Sequence, residues 1–282
     1  ELTSVTDPAG NTWTYTYDSG RLLSVCPPAT PTQCHTYTYA SGEEISLHPT
    51  TVLDTKPRSY FHLGGGQSVA TNAAEDSVHV STAQHVNTST GSGPFVGSTA
   101  AVFNGSTSYV KLVGEDVPLS SVYQSVSLWF KTSPGSTTGG VLLGMQNAAP
   151  GGTVTGYVPA IYVGTDGKLR FRFYDGTNDA TAYTSKNVND GAWHHVVVTL
   201  TQTAQTVYVD GSALTANVTR VTHTPHLNHI LIGAGRWTGR PATSGDYGYF
   251  TGSIAEVAFF DRALTTADAR LLYQTGAAAA RP

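Results

Sequence analysis

The sequence predicts an all-β chain, an antiparallel β-sandwich with one short helix near its C-terminus. Three observations carry that expectation. Strand-length segments of alternating apolar and polar residues recur through most of the 282 residues. Asn-Gly and Asp-Gly pairs separate them at 104–105, 166–167, 175–176, 190–191 and 210–211. Such pairs supply the positive φ values that tight hairpins need. Charged residues make up only 12% of the chain, against roughly 25% in an average domain. Thr, Ser, Gly and Ala replace them, the composition of an extracellular β-protein.

The formal net charge of −4 leaves no basic footprint, which argues against nucleic acid and anionic membrane as partners. No segment approaches the roughly 18 apolar residues of a membrane span, and no signal peptide opens the chain. Glu1 stands where an initiator methionine would. The sequence therefore reads as a piece of a longer protein.

Residues 1–45 form the first element. "VTDPAGNTWTYTYDSGRLLSVCPP" alternates Thr with aromatic side chains between the turn signals "DPAGN" and "DSG". Period two between turns predicts a β-hairpin with one aromatic face. A shorter echo, "HTYTYASG", follows, and repeated strand units suggest a repeat array. Between the two lies "CPPATPTQC", where Cys26 and Cys34 flank a proline-stiffened loop. A disulfide is expected there in an oxidising compartment, with two free thiols as the alternative. A zinc site is not expected, because His35 is the only nearby nitrogen ligand and there is no second cysteine pair.

"GNTWTYTYDSGRLLSV" resembles a YD (RHS) repeat, with Gly10, Tyr15, Tyr17, Asp18, Gly20, Arg21 and Leu22 in the motif's order. The resemblance implies a secreted or surface protein, bacterial in origin, in which such repeats build a β-shell, often of a polymorphic toxin. One repeat and an echo are too few for a shell, so only the context carries over.

Residues 46–58, "SLHPTTVLDTKPR", hold two prolines and no period. They read as a linker. The sandwich is expected over 59–276. In "VSLWF", Val126, Leu128 and Phe130 share one face. In "KLRFRFY", Leu169, Phe171 and Phe173 point inward, and Arg170, Arg172 and Tyr174 outward. Many short strands with turns between them argue for a sandwich.

"AWHHVVVTL" puts two histidines side by side near Asp190. Strand alternation places His194 with Val196 on one face and His195 with Val197 on the other. Residues on opposite faces cannot share one ion or one proton. The pair therefore reads as two strand positions. Last comes "LTTADARLLYQTG", with Thr265 as N-cap, Asp268 completing a capping box, Leu271 and Leu272 as the apolar face and Gly276 as the stop. Residues 277–282 form a short tail.

Four segments in order carry a second resemblance: "SYFHLGGG" (59–66), "AAVFNGSTSYVKL" (100–112), "WHHV" leading into "YVDG" (193–211), and "FTGSIAEVAFFDRALTTADARLLYQTG" (250–276). Together they resemble the LamG-like jelly roll, a concanavalin A-like sandwich related to laminin G modules and pentraxins. The resemblance implies a jelly-roll fold over 59–276 and recognition or adhesion as its usual role.

Concanavalin A-like folds also include glucanases, which set paired acidic residues on one strand. The chain has no Glu-x-Asp-x-x-Glu cluster. Glu43 and Glu44 fall in the repeat fragment, and Glu256 is flanked by apolar strand residues. There is no Gly-x-Ser-x-Gly elbow and no Gly-rich phosphate loop. No enzymatic activity is expected.

The resemblance further implies a structural Ca²⁺ at the loop after the first strand, where Asp76, with Glu75 beside it, offers the oxygen ligands this ion requires. That loop lacks the family's glycines, and Ala255 stands where an Asp is common. "HTPHLNH" contains His223, His226 and His229, but Pro225 breaks any shared helix face, so these read as loop histidines. The connection "GAGRWTGRPATSGDYGYFTG" (233–252) is the candidate binding site. Trp237, Tyr247 and Tyr249 offer rings to sugar faces, and Arg236, Arg240 and Asp246 can hydrogen-bond hydroxyls or carboxylates. The alternative is that the aromatics pin the loop to the sandwich. Asn87, Asn104 and Asn217 sit in glycosylation sequons.

The sequence as a whole predicts a non-enzymatic extracellular module that binds glycan or a cell-surface protein, attached to the remainder of its own RHS-repeat polypeptide. The alternative is a structural spacer without a ligand.

Overall fold

The computed structural model describes residues 3–18, 21–28, 34–36, 46–64, 69–71, 82–113, 124–134, 136–171, 182–201, 204–214 and 227–278. The chain divides into two compact units, Glu1–Glu44 and Ile45–Pro282.

The first unit is one antiparallel sheet of β1 (Ser4–Thr6), β2 (Thr12–Asp18), β3 (Arg21–Cys26) and β4 (His35–Thr36), in that order. "DPAGN" turns β1 into β2. Asp7 accepts from the backbone N–H and the amide of Asn11, both at 2.9 Å, and Gly10 takes a φ of +86°. β2 and β3 form the expected hairpin. Trp13 stays exposed. Cys26 and Cys34 are disulfide-bonded.

In the second unit, residues 46–58 are not the expected linker. His48–Asp54 form a helix, α1, with Pro49 in its first turn, where the absent N–H is not needed. Seven residues are too few to show a helical period in sequence. Strands β5 (Ser59–Phe61), β6 (Val69–Thr71), β7 (Thr82–Val86), β8 (Ser89–Ser92), β9 (Thr99–Asn104), β10 (Tyr109–Val113) and β11 (Gln124–Thr132) follow. Next are β12 (Gly140–Gln146), β13 (Tyr157–Val163), β14 (Leu169–Phe171), β15 (Ala182–Tyr183), β16 (Trp193–Leu200), β17 (Gln205–Val209) and β18 (Ser212–Leu214). The chain closes with β19 (His229–Ile232), β20 (Ala234–Arg236), β21 (Tyr247–Tyr249), β22 (Thr251–Phe260) and helix α2 (Thr266–Ala277).

Two large antiparallel sheets result. One is ordered β15-β14-β13-β12-β19-β10-β7-β6, the other β18-β17-β16-β11-β22-β9-β8. β5 pairs farther along β22, at Val257–Phe259. Val126, Leu128, Phe130, Val196, Val198 and Phe259 of the second sheet pack against Leu143, Ile161, Phe171, Ile230 and Ile232 of the first. That interdigitated layer is the core of a sandwich.

The second sheet is buried on its other face too. Tyr60, Val197, Tyr208, Ala258 and Phe260 meet Val52 of α1 with Ala269 and Leu272 of α2. Strands covered on both sides need few polar residues, so "VVVTL" and "VAFF" read as apolar runs, although Ser127 and His195 are buried on the helix side too.

α2 begins as expected. Thr265 Oγ1 accepts from the N–H of Asp268 at 3.1 Å, and Asp268 Oδ2 accepts from the N–H of Thr265 at 2.9 Å. Its end differs from expectation, since the helix runs through Gly276 to Ala277. Gly276 is there for space: a Cβ on it would lie 2.4 Å from Cζ2 of Trp129. Leu272 is buried, whereas Leu271 is exposed.

Candidate functional site

The connection 233–252 is a hairpin. Ala234, Gly235 and Arg236 pair with Tyr249, Gly248 and Tyr247. Its turn needs left-handed backbone at Gly239, Ala242 and Gly245, which the two glycines adopt without strain. The hairpin lies across the outer face of β12 and β13 and is held there by hydrogen bonds. Tyr157 Oη donates to the carbonyl of Thr238 at 2.9 Å, and Tyr162 Oη to that of Pro241 at 3.1 Å. The N–H of Thr165 donates to the carbonyl of Ala242 at 2.8 Å.

Trp237 is part of that attachment. It is 2% exposed and packs with Val141 and Tyr162, the Tyr162 ring edge-on at 6.1 Å. Its Nε1 donates to the carbonyl of Ser244 at 3.2 Å. Gly248 lies against the indole so closely that a Cβ would come within 2.6 Å of it. A ring covered on both faces has none left for a ligand, so the stacking role the sequence offered Trp237 does not fit its position. For this residue the pinning alternative is the one realised.

The other five candidates do come together. Tyr247 and Tyr249, two apart on β21, share a face, and their ring centroids lie 5.0 Å apart. Both are half-buried. Tyr247 Oη donates to Oε1 of Gln146 at 2.9 Å, and the same oxygen accepts from the N–H of Arg236 at 3.3 Å. Burial, with the Tyr109 phenol of β10 nearby, pushes the pKa of both tyrosines up. They remain neutral phenols. The guanidiniums of Arg236 and Arg240 sit 5.5 and 5.6 Å from the ring centre of Tyr157, within cation–π range. Asp246 is exposed, 4.0 Å from Arg236, and accepts from Thr238 Oγ1 at 2.9 Å.

Sequence reasoning missed Tyr157 and Gln146. Both sit at the ends of strands that look wholly internal, and only the hairpin folding over them reveals their role. The assembled face offers aromatic planes flanked by cationic donors and one carboxylate.

The paired histidines occupy opposite faces. His194 Nδ1 meets Asp210 Oδ2 at 2.8 Å and Nε2 meets Asp190 Oδ1 at 3.1 Å. Burial works against its protonation, but the two carboxylates outweigh it and leave its pKa raised. His195 is buried on the helix side, with Nε2 2.8 Å from Ser127 Oγ, and its ring clusters with those of Trp129 and Tyr273, 4.9 and 6.3 Å away. Burial, reinforced by nearby His48, drives its pKa well below the ordinary 6.5. One histidine ties a hairpin and the other packs a layer.

Asp76 and Glu75, the candidate calcium ligands, lie outside the described residues, as do Asn217, His223 and His226. Among the described residues no group of three or more His, Cys, Asp or Glu side chains is placed to hold a metal ion. Ala255 is wholly buried in β22 and brings no oxygen. No described helix is long and apolar enough to cross a membrane.

Residues 104–270 match the family model of the concanavalin A-like lectin/glucanases superfamily of laminin G type, and residues 1–27 match that of the RHS repeat. No curated protein matches the chain in sequence. Among solved structures, a Trypanosoma rangeli sialidase in complex with a difluorinated nononic acid is 17% identical, with a TM-score of 0.54 over 76% of this chain and 32% of its own. The same sialidase in complex with sialic acid is 14% identical, at 0.54 over 96% of this chain and 43% of its own. The chain thus spans less than half the length of the sialidases it matches. Domain 4 of AbnA, an extracellular arabinanase of Geobacillus stearothermophilus, in complex with arabinotriose, is 18% identical, at 0.50 over 78% of this chain and 98% of that domain. At these identities the likeness is one of fold.

Proposed function

This chain belongs to the concanavalin A-like lectin/glucanases superfamily, and on that premise we propose that it is a non-enzymatic recognition module binding glycan on the outer face of β12 and β13. The observation that carries the reading is the pairing of Tyr247 with Tyr249 beside Tyr157, over which two guanidiniums lie. Sugar rings present C–H faces that stack on aromatic planes, and their hydroxyls accept from Arg and donate to Asp. Two arginines to one aspartate favour a glycan that carries carboxylates. Structural neighbours in complex with sialic acid and with arabinotriose support sugars as the ligand class.

The RHS repeat and the disulfide fit a secreted or surface polypeptide. In this reading the module is displayed on the remainder of its own RHS-repeat chain and serves adhesion of a bacterial surface or toxin protein. One observation favours the structural-spacer reading instead: the largest ring of the hairpin, Trp237, is spent on internal packing.

An array of acidic and neutral glycans, including arabinotriose and sialic acid, distinguishes the two readings. Binding of an acidic glycan that is weakened in Arg236→Ala and Tyr249→Ala, with melting unchanged, supports recognition. No binding across glycan and cell-wall arrays leaves the spacer. Release of reducing ends from any bound glycan would overturn the non-enzymatic part.

A further inference from the structure

β22 changes partner along its length. Thr251–Ile254 pair with β9, and Val257–Phe259 pair with β5. Between them Glu256 adopts a φ of +54°, and opposite it the β11 register slips between Ser127 and Trp129. This is a bulge, and bulges re-aim side chains. Here Ile254 and Val257 both face the core, while the Glu256 carboxylate turns to the other side, towards Tyr60. Left-handed backbone in a non-glycine strand residue is strained and persists where the surroundings enforce it.

The carboxylate is 1% exposed. Oε2 accepts from Tyr60 Oη and from His62 Nδ1, the latter at 2.8 Å, and Oε1 accepts from Ser98 Oγ at 2.8 Å. An ionised carboxylate has about four acceptor sites, so three donors leave one on Oε1. Beside it lies a cavity of 350 Å³, walled by Pro49, Phe95, Val96 and Gly97 with His62, Ser98 and Glu256. His62, on the wall of this cavity, has a side chain that is 42% exposed. Apart from His62, the base nearest in charge is His48 of α1, and burial keeps His48 neutral by lowering its pKa.

We propose that this cavity is a second ligand site, taking a primary ammonium group on a short apolar stem, with the ammonium on Glu256 and the stem along Phe95 and Val96. A buried carboxylate calls for a cation, and its only ionic partner among the described residues is a histidine that can give up its proton. The ammonium takes the place of that charge. A lysine side chain of a partner polypeptide has this chemistry. The site lies on the opposite sheet from the proposed glycan face, so either can fail without the other.

The groups that bear on its pH response are Glu256 on β22, Tyr60 and His62 on and after β5, His48 on α1, and His195 behind His48. Glu256 raises the pKa of His62, chiefly through their hydrogen bond. A protonated His62 competes with the amine, so affinity is highest above that pKa. The test is NMR titration of the whole chain with n-butylammonium, using n-butanol as the uncharged isostere. We expect saturable shifts of the His62 ring with the amine only, and binding that weakens about tenfold for each pH unit below the His62 pKa. Glu256→Gln should abolish it. Because that variant can unfold the strand junction, His62→Gln supplies the second test, and should bind the amine with a flat pH response. Nα-acetyl-lysine amide should bind in the same way, and glucosamine, whose amine has no apolar stem, should not. Failure of Nα-acetyl-lysine amide, equal binding of glucosamine or butanol, no His62 shift, or a pH dependence that survives His62→Gln would each overturn the proposal.

Discussion

Six described histidines of the second unit have displaced pKa values, four lowered (His48, His85, His195 and His229) and two raised (His62 and His194), so they act in opposite senses. His48 and His195 are held neutral by burial, so their pKa values fall below 6.5. Above 6.5 their contribution to stability is complete. As pH falls from there towards the folded values, the unfolded chain takes up protons the folded chain refuses, and stability is lost. His62 and His194 behave in reverse, because carboxylates raise their pKa values. What they add is complete below 6.5 and is lost as pH rises through the raised values. His195→Gln keeps a polar partner for Ser127 but does not titrate. It should flatten the decline in melting temperature between roughly pH 6.5 and 5, and an unchanged decline would show that His195 is not its source. At the proposed glycan face, Tyr249→Ala should weaken binding roughly three- to tenfold with melting unchanged. Trp237→Ala should instead destabilise the domain by about 3–5 kcal/mol, the usual cost of emptying a buried aromatic site. Equal losses of binding and stability in both variants would contradict this division of roles. Glycan titration with parallel calorimetry separates them.

At the level of elements, α2 and α1 form a third layer over the second sheet, and α2 fits there through one glycine. Gly276→Ala would press a methyl into the buried Trp129 ring. The expected cost is about 1–3 kcal/mol, in line with other overpacked cores, and denaturant unfolding measures it. Loss of the cap in Thr265→Ala should cost about 1 kcal/mol. A Gly276→Ala effect below the cap's would mean that α2 is not tightly seated. The capping box was legible because its residues are neighbours in sequence. The role of Gly276 was not, because Trp129 reaches it from a distant strand. α1 was hidden for a similar reason: His48 Nδ1 donates to the carbonyl of Leu272 at 2.8 Å, a tie that no local pattern announces.

For the whole molecule, the two compact units predict two separable responses. The disulfide closes a loop eight residues long within the first unit, and chain-entropy models assign such a crosslink on the order of 2–3 kcal/mol. Reduction should lower the stability of the first unit and leave the melting of the second unchanged. Non-reducing mass spectrometry should detect no alkylatable thiol. Two thiols, or a second unit that melts earlier on reduction, would contradict the pairing or the independence of the units.

Fold class, the repeat fragment, the N-terminal hairpin, the start of α2 and the opposite faces of His194 and His195 were all determined by sequence alone. The hairpin, the start of α2 and the histidine faces rest on spacing within about ten residues, over which a two-residue strand period or a turn pair acts; the repeat fragment and the jelly roll rest on the resemblance of short motifs. Tertiary structure alone decided that Trp237 anchors while Tyr247 and Tyr249 remain reachable, that Tyr157 and Gln146 join them, and that Glu256 turns into a cavity. Those outcomes depend on which face of a sheet a hairpin covers and where a strand changes partner. Burial is fixed by residues far away in the chain, so an aromatic on a strand or a lone glutamate in an apolar run carries the same local signal whether it packs, binds or does neither.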